Sequence, residues 1–371
     1  MTGGSSATRM YISGYTGSSG GRGAGIAAYD RPSTDEPWHL VQTVEADDPT
    51  FLALTEGALH AVSETTEGRV LSYTIGAGAL TPASVAASGG AAPCHVMRDP
   101  STGALVVANY AAGTVGVLSA DPSDPARVTR VLALPVGHGP VLDRQEHAHA
   151  HNTVPTPWGT LLVSDLGTDR VYEVRVDPVT LDPSIIATHA LPSGSGPRHF
   201  AWLDVAVDGD GTAAAAVGAS PLLLVTGELD GRLHVLTRTE RGALVVDHSV
   251  SAFAEGSTSP SDPAYATDEA LLSHIEVVRL ADGGSVVYVA VRGRDSITVL
   301  APGADGRLAV RAEVAAGGHW PRHFAVEGGL LYVANQLSDT VSILPIDPST
   351  GVPGAPVAQL AVGSPSCVLF A

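Results

Sequence analysis

The fold of this chain is decided by the stretch LVVAN at Leu105–Asn109, which is followed by a turn at Gly113 and by TVGVL at Thr114–Leu118. An apolar strand with a polar end, a tight turn and a second apolar strand form the pattern of a β-hairpin. The same pattern recurs at residues 11–29, 59–73, 161–174, 222–236, 286–300 and 330–344. Seven copies of one hairpin indicate a repeat architecture.

Six of the hairpins follow a further strand, and a seventh such strand comes at the end of the chain. These opening strands usually begin on proline or histidine, and their third residues lie at positions 51, 95, 151, 199, 274, 323 and 367. The shortest steps, from 51 to 95 and from 323 to 367, are 44 residues, within the period of about 40–50 residues of four-stranded propeller blades. Longer steps predict insertions near residues 135–147, 204–221 and 252–270.

The order of the strands predicts how the ring closes. The chain starts on a second strand near Tyr11 and ends on an opening strand near Cys367, so these two strands belong to one blade. Such a shared blade pairs the edges that an open array of sheets would expose. The sequence therefore predicts an all-β protein, a single seven-bladed β-propeller domain over residues 1–371, with four-stranded blades and a flexible segment at residues 1–9.

The charge of the chain restricts its partners. The formal net charge is −18, and all 20 basic residues are arginine. A surface of this sign repels nucleic acid and anionic membranes, and the absence of lysine excludes Schiff-base chemistry. Two cysteines and the lack of an apolar signal stretch in residues 1–9 predict a cytoplasmic protein. The sequence leaves the oligomeric state open.

Histidine occupies the third position of five opening strands, and the innermost strand of a propeller blade lines the central channel. These residues are His95, His151, His199, His274 and His323. Arg198 and Arg322 precede two of them. The second strands end on polar residues, which are Glu64, Asn109, Asp165, Glu228, Arg292 and Asn335. The pattern predicts an anion site at one mouth of the channel. In the alternative, each histidine bonds the backbone of a neighbouring blade and has a structural role.

The segment His147-Ala148-His149-Ala150-His151 is a candidate metal motif, because alternate residues of a strand share one face. On an extended strand, however, residues i and i+4 lie about 13 Å apart, which is too far for one ion with bonds of about 2 Å. The sequence therefore assigns no metal site and no cofactor, unless the segment curves.

At these motifs the chain resembles the seven-bladed lactonase family, which includes propeller-type bacterial 6-phosphogluconolactonases and fungal 3-carboxy-cis,cis-muconate lactonizing enzymes. The resemblance covers the chain from Tyr11 onward. Its most specific stretches are residues 149–151, 165–171, 196–200, 292–297, 321–325 and 334–336. By motif, the resemblance implies catalytic roles for His151, Arg198, Glu228 and Arg292, and an activity that depends on no known metal.

The favoured hypothesis is hydrolysis of a sugar lactone such as 6-phosphogluconolactone. Arg198 and Arg292 would hold the anionic group and the oxyanion, and His151 or Glu228 would act as general base. The residues expected to bind this small anionic substrate are His95, His149, His199, His274, Arg322 and His323. The alternatives are a muconate-type cycloisomerase and a non-catalytic propeller that binds a small ligand or a protein.

Overall fold

A computed structural model describes residues 8–33, 36–76, 79–124, 129–204, 221–254, 256–267, 269–303 and 307–371. Within these ranges, 28 strands form seven antiparallel sheets of four strands each. The helical elements of the same ranges are two short 3-10 turns, Gly17–Ser19 and Gln336–Ser338. A search of the described residues for a helix long and apolar enough to cross a lipid bilayer finds none.

Every sheet is one blade, and its strands follow each other from the central channel outward. The innermost strands are β4 (Pro49–Thr55), β8 (Pro93–Arg98), β12 (Ala150–Pro155), β16 (Pro197–Leu203), β20 (Ala270–Arg279), β24 (Pro321–Glu327) and β28 (Pro365–Phe370). The second strands are β1 (Thr8–Gly14), β5 (Ala58–Ser63), β9 (Leu105–Asn109), β13 (Leu161–Asp165), β17 (Leu222–Gly227), β21 (Ser285–Gly293) and β25 (Leu330–Asn335).

The outer half of each blade completes the four-stranded sheet. The third strands are β2 (Ile26–Arg31), β6 (Arg69–Gly76), β10 (Thr114–Leu118), β14 (Arg170–Val176), β18 (Arg232–Arg238), β22 (Ser296–Pro302) and β26 (Thr340–Pro345). The outermost strands are β3 (His39–Val44), β7 (Ala79–Ala87), β11 (Arg130–Ala133), β15 (Pro183–Ala190), β19 (Leu244–Ser251), β23 (Leu308–Ala315) and β27 (Ala358–Ala361). Blade one consists of β28, β1, β2 and β3, and blades two to seven follow in chain order.

The shared blade predicted from the sequence is confirmed. β28 pairs with β1 in antiparallel register, with Met10 opposite Phe370 and Ser13 opposite Cys367. The prediction of a flexible segment over residues 1–9 is wrong for Thr8 and Arg9, because both belong to β1. Arg9 Nε donates to Asp30 Oδ1 at 2.6 Å. Residues 1–7 and most of the insertion predicted near 204–221 lie outside the described residues.

The hydrophobic core lies between neighbouring blades. The second strands β9 and β13 are buried along their whole length. Val106 of β9 and Val163 of β13 belong to one apolar cluster that joins blades three and four. The outermost strands β11 and β27 are mostly exposed. Packing between blades therefore holds the innermost strands in place around the channel.

Candidate anion-binding site

An irregularity in strand pairing turns two successive residues of an innermost strand toward the channel. In β16 the regular pairing with β17 is broken between Pro197 and Phe200, and every other blade has an irregularity near the same point. Breaks of this kind re-aim side chains. They explain why Arg198 and His199, although adjacent in the chain, both line the channel.

The five histidines at the third position of the opening strands do meet in one group of packed side chains. The ring centroid of His274 lies 3.9 Å from that of His323 and 5.2 Å from that of His199. The centroid of His199 lies 5.4 Å from that of His151 and 6.1 Å from that of His95. His323 lines both the pocket of Arg198 and a second cavity, so this group of packed rings, called the waist here, lies between the two.

Burial keeps these imidazoles neutral at pH 7. It lowers the pKa of His95 and of His274 to about 3, because charging a group away from water is costly. The pKa values of His151, His199 and His323 are also held well below the ordinary value by burial. The five histidines therefore supply neutral hydrogen-bonding groups to the channel and no positive charge.

Two of these histidines have partners that fit the structural alternative. The backbone N–H of Val368 in blade one donates to His323 Nδ1 at 3.4 Å. Thr153 Oγ1 lies 3.2 Å from His95 Nδ1 and joins blades three and four. Their ring nitrogens thus contribute to contacts between blades.

Glu228, directly after β17, is the centre of the charged cluster at the mouth. Its side chain is 2% exposed. One carboxylate oxygen, Oε1, accepts a hydrogen bond from Arg144 Nη2, and the other, Oε2, lies 2.9 Å from Arg198 Nε and 2.9 Å from Arg292 Nη2. Burial alone would raise the pKa of Glu228, but the charges of Arg292 and Arg198 outweigh it and hold the pKa well below its ordinary value.

A second charged group, in blades seven, one and two, completes this mouth. Arg322 Nη2 donates to the Tyr15 hydroxyl at 2.7 Å, and this hydroxyl donates to Glu64 Oε2 at 3.0 Å. The Arg322 guanidinium also lies 5.0 Å from the centre of the Tyr15 ring. Among the described residues, Arg322 has no carboxylate within ion-pair distance. Within this part of the chain, Arg322 therefore reaches the carboxylate of Glu64 only through the Tyr15 hydroxyl and has no direct ion pair of its own.

Charge decides where an anion can bind near this mouth. Four arginines, Arg144, Arg198, Arg292 and Arg322, face two carboxylates, Glu64 and Glu228. The cluster is therefore positive within a chain whose net charge is −18. A cavity of about 1000 Å³ lies beside it between blades one and two, but acidic residues are prominent in its lining, which includes Glu45, Asp47, Asp48, Glu64 and Glu67. The arginine cluster is thus the better anion site, although the cavity beside it is larger.

The structure brings most of the predicted site residues together. Arg198, Glu228, Arg292 and Arg322 lie in the charged cluster, and His151 lines the channel next to them. His95, His199, His274 and His323 lie in the waist below it. His149 lies elsewhere, on the rim, where its ring stacks on Tyr110 with centroids 4.3 Å apart.

Sequence reasoning missed Tyr15, Tyr110 and Arg144. The residue that follows the second strand is Tyr15, Glu64, Tyr110, Leu166, Glu228 and Gln336 in six blades, whereas in blade six Arg292 lies inside β21. Of these residues, Tyr15, Glu64, Glu228 and Arg292 belong to the charged groups at the mouth. Asn109, Asp165 and Asn335 stand one residue earlier. They bond nearby turn and strand atoms, as Asn109 Nδ2 does with Ser88 O at 3.2 Å. The ends of the strands in the sequence do not distinguish these two registers. Arg144 belongs to a loop outside the repeat, so no blade pattern identifies it.

Comparisons with known proteins agree with this architecture. The family model described as lactonase, 7-bladed beta-propeller, matches residues 9–370. The chain is 27% identical over 334 residues to the 6-phosphogluconolactonase of Bacillus subtilis, with 87% of each chain covered. Among solved structures, the periplasmic gluconolactonase PpgL of Pseudomonas aeruginosa superposes with a TM-score of 0.79 at 26% identity, covering 98% of this chain and 99% of that one. A protein from Lactobacillus plantarum gives a TM-score of 0.81 at 25% identity, covering 98% and 99%.

Proposed function

Because this chain belongs to the seven-bladed β-propeller lactonase family, we propose that it hydrolyses a sugar lactone with an anionic substituent, of the kind of 6-phosphogluconolactone. The observation that carries the proposal is the excess of arginine at the mouth. Three arginines share the single carboxylate of Glu228, and Arg322 has no carboxylate of its own among the described residues. Guanidinium groups bind phosphate and carboxylate through paired N–H donors. A B. subtilis relative that carries the name 6-phosphogluconolactonase supports this substrate class.

The arginines around Glu228 would also stabilise the charge that develops during hydrolysis. Glu228 holds Arg198 and Arg292 in place before substrate arrives, so their N–H groups need no reorganisation when the carbonyl oxygen becomes an oxyanion. The same arginines make Glu228 a poor proton acceptor, because they lower its pKa and occupy both oxygens. Glu228 therefore acts as a positioning residue in this proposal.

His151 is the residue we assign as general base. We choose it for its position, because it lines the channel beside Arg198 and its neutral ring has a lone pair for a proton from water. Burial lowers the pKa of His151, so it is a weak base, but unlike Glu228 it carries no charge that the arginines already neutralise. The water oxygen bonds to the lactone carbonyl carbon while His151 takes the proton. When the tetrahedral intermediate collapses, the ring C–O bond breaks and the leaving oxygen takes that proton back. The product is the open-chain hydroxy acid, and His151 is again neutral.

Kinetics on paired substrates test this proposal. The Arg322→Gln variant should raise KM at least about tenfold for 6-phosphogluconolactone, since a charge-assisted bond is worth about 1.5–3 kcal/mol. It should leave KM for the unphosphorylated gluconolactone nearly unchanged. Arg241→Gln, at an exposed loop position, is the matched control and should behave as wild type on both.

Other outcomes would select the other functions. Turnover of a muconate-type diacid without lactone hydrolysis would replace the proposal with the cycloisomerase. Failure of the wild type to turn over either class would leave a binding propeller, and the proposal would be abandoned. An equal rise of KM on both lactones would refute the role of Arg322 in holding the anionic substituent.

A further inference from the structure

Three potential metal ligands converge on the rim of the channel, just before β12. Glu146 Oε1 lies 3.4 Å from His147 Nε2 and 3.2 Å from His149 Nε2. The three ligand atoms all lie within 4.8 Å of one another. The segment is not extended here, since β12 begins only at Ala150. The curve brings the rings of His147 and His149 to a centroid separation of 4.2 Å.

Backbone carbonyls fix which nitrogen of each ring faces Glu146. His147 Nδ1 lies 2.8 Å from Ala148 O, and His149 Nδ1 lies 3.1 Å from Tyr110 O. A carbonyl only accepts hydrogen bonds, so each Nδ1 carries the proton and donates it. In the neutral imidazole, Nε2 is then left with a lone pair. A carbonyl partner of this kind is the usual outer support of a metal-bound histidine.

His149 is the decisive member of this group. Its side chain is 4% exposed, and its Nε2 is buried with no hydrogen-bond partner. It faces the carboxylate of Glu146 at 3.2 Å, which also offers only lone pairs when ionised. Two facing acceptors are unfavourable unless a cation lies between them or His149 itself becomes protonated.

We propose that Glu146, His147 and His149 form a site for a divalent transition-metal ion, with Zn²⁺ as the best fit. Zinc bonds of about 2.0–2.1 Å at tetrahedral angles place ligand atoms about 3.3 Å apart, and the two Oε1–Nε2 distances are 3.4 and 3.2 Å. Carboxylate and imidazole are ligands that zinc accepts. The side chains of Glu146 and His147 are 51% and 49% exposed, which leaves room for water at the remaining position.

The ion would stand next to the arginine cluster without sharing its residues. The Tyr110 ring separates the two places, since it stacks on His149 and meets His151 edge-on with centroids 5.6 Å apart. His151 is not among the residues whose ligand atoms converge here, and its Nδ1 lies 3.9 Å from Cys94 Sγ. This inference therefore reverses the expectation drawn from an extended strand, and it does not rest on the proposed function.

Metal titration of protein without an affinity tag tests the site. Purified wild type, treated with a chelator and dialysed, is titrated with Zn²⁺ by calorimetry and with Co²⁺ by visible absorption. We expect one equivalent of either ion and a Co²⁺ spectrum of four-coordinate intensity. Glu146→Gln and His147→Ala should weaken affinity at least about tenfold, since even the loss of an outer partner costs about 10–100-fold. His149→Ala should abolish stoichiometric binding.

His39→Ala is the matched control, because His39 is an exposed residue of β3 in another blade. This variant should bind as wild type does. Glu146 is exposed, so its variant keeps the test valid if His149→Ala fails to fold. Absence of binding by the wild type, as expected if His149 is instead protonated and paired with Glu146, would overturn the proposal. Equal affinity of wild type and Glu146→Gln would overturn it as well.

Discussion

The two ends of the channel each hold a glutamate, and the two carboxyl groups have opposite properties. Glu228 at the arginine-rich mouth is ionised, with a pKa held below its ordinary value by Arg292 and Arg198 against the effect of burial. At the other end, burial raises the pKa of Glu276 in β20 to about 8. The nearest ring there, His274, has its Nε2 3.3 Å from Glu276 Oε1 and is itself neutral.

The contrast shows that charged neighbours, more than burial, decide whether these two carboxyl groups are ionised. Glu228 is the more buried carboxylate by surface area, with 2% of its side chain exposed against 32% for Glu276. The lining beyond the histidine waist is mostly apolar, including Leu52, Val326 and Leu369, around a cavity of about 330 Å³. Only one end of the channel is therefore arranged for an anion.

Replacing each glutamate with glutamine should give the largest difference in stability between the two ends of the channel. At pH 7 we expect Glu228→Gln to lower the free energy of unfolding by about 3–5 kcal/mol, because buried arginines lose their counter-charge. Glu276→Gln should leave it unchanged or raise it, because the glutamine replaces a largely protonated carboxyl group. Urea unfolding of the two variants and the wild type makes the measurement. Equal losses in both variants would contradict the stabilising role of the ion pairs between Glu228 and the arginines.

Acid should destabilise the folded protein, because the histidines between the two ends of the channel are buried in the neutral form. The folded-state pKa values of the five ring histidines are lowered, so the unfolded chain binds more protons below about pH 6.5, and stability is lost as pH falls. Each histidine contributes at most about 1.4 kcal/mol per pH unit. Unfolding of His323→Phe between pH 6.5 and 5 should show a shallower loss than wild type. Phenylalanine is chosen because Phe51 stands at the same register of blade two. An unchanged slope would contradict neutral burial of His323.

The smallest change of stability with pH is expected from the ionisation of Glu276 at the apolar end. Its folded-state pKa is raised to about 8, so the folded protein binds the extra proton between about pH 4.5 and 8, and stability falls as pH rises through this window. Partial exposure of the side chain reduces the slope below the limit of about 1.4 kcal/mol per pH unit. The stability of wild type minus that of Glu276→Gln should decrease from pH 5 to pH 8. An increase over this range would place the pKa of Glu276 on the other side of its ordinary value.

The fold could be predicted from the sequence because every blade repeats the same strand pattern. The predicted bounds of β9, β10 and β13 agree with the structure to the residue. Strand closure between Tyr11 and Cys367 followed from counting which strand each end supplied. The repeated pattern of apolar strands and turn residues was therefore sufficient to predict all seven blades and the closure of the ring.

The site was less predictable because its geometry departs from the repeat. The histidine register was identified, but the pairing irregularities that turn adjacent residues into the channel leave no mark in composition. Arg144 comes from an inter-blade loop, and its contact with Glu228 joins residues 84 positions apart. The same loop curves at His147 and His149, so distances taken from an extended strand do not apply to them.

The shared blade has a consequence for how the protein acquires its anion site. β1 pairs with β28, and Met10 lies opposite Phe370 although the two residues are far apart in the sequence. Contacts this distant in sequence slow folding, because closing the loop costs entropy before the pairing is gained. Tyr15 follows β1 and links Arg322 to Glu64, so this link joins the blades on both sides of the closure. A ligand that needs all four arginines therefore binds only the closed ring, and by mass action its presence would favour closure over the open chain.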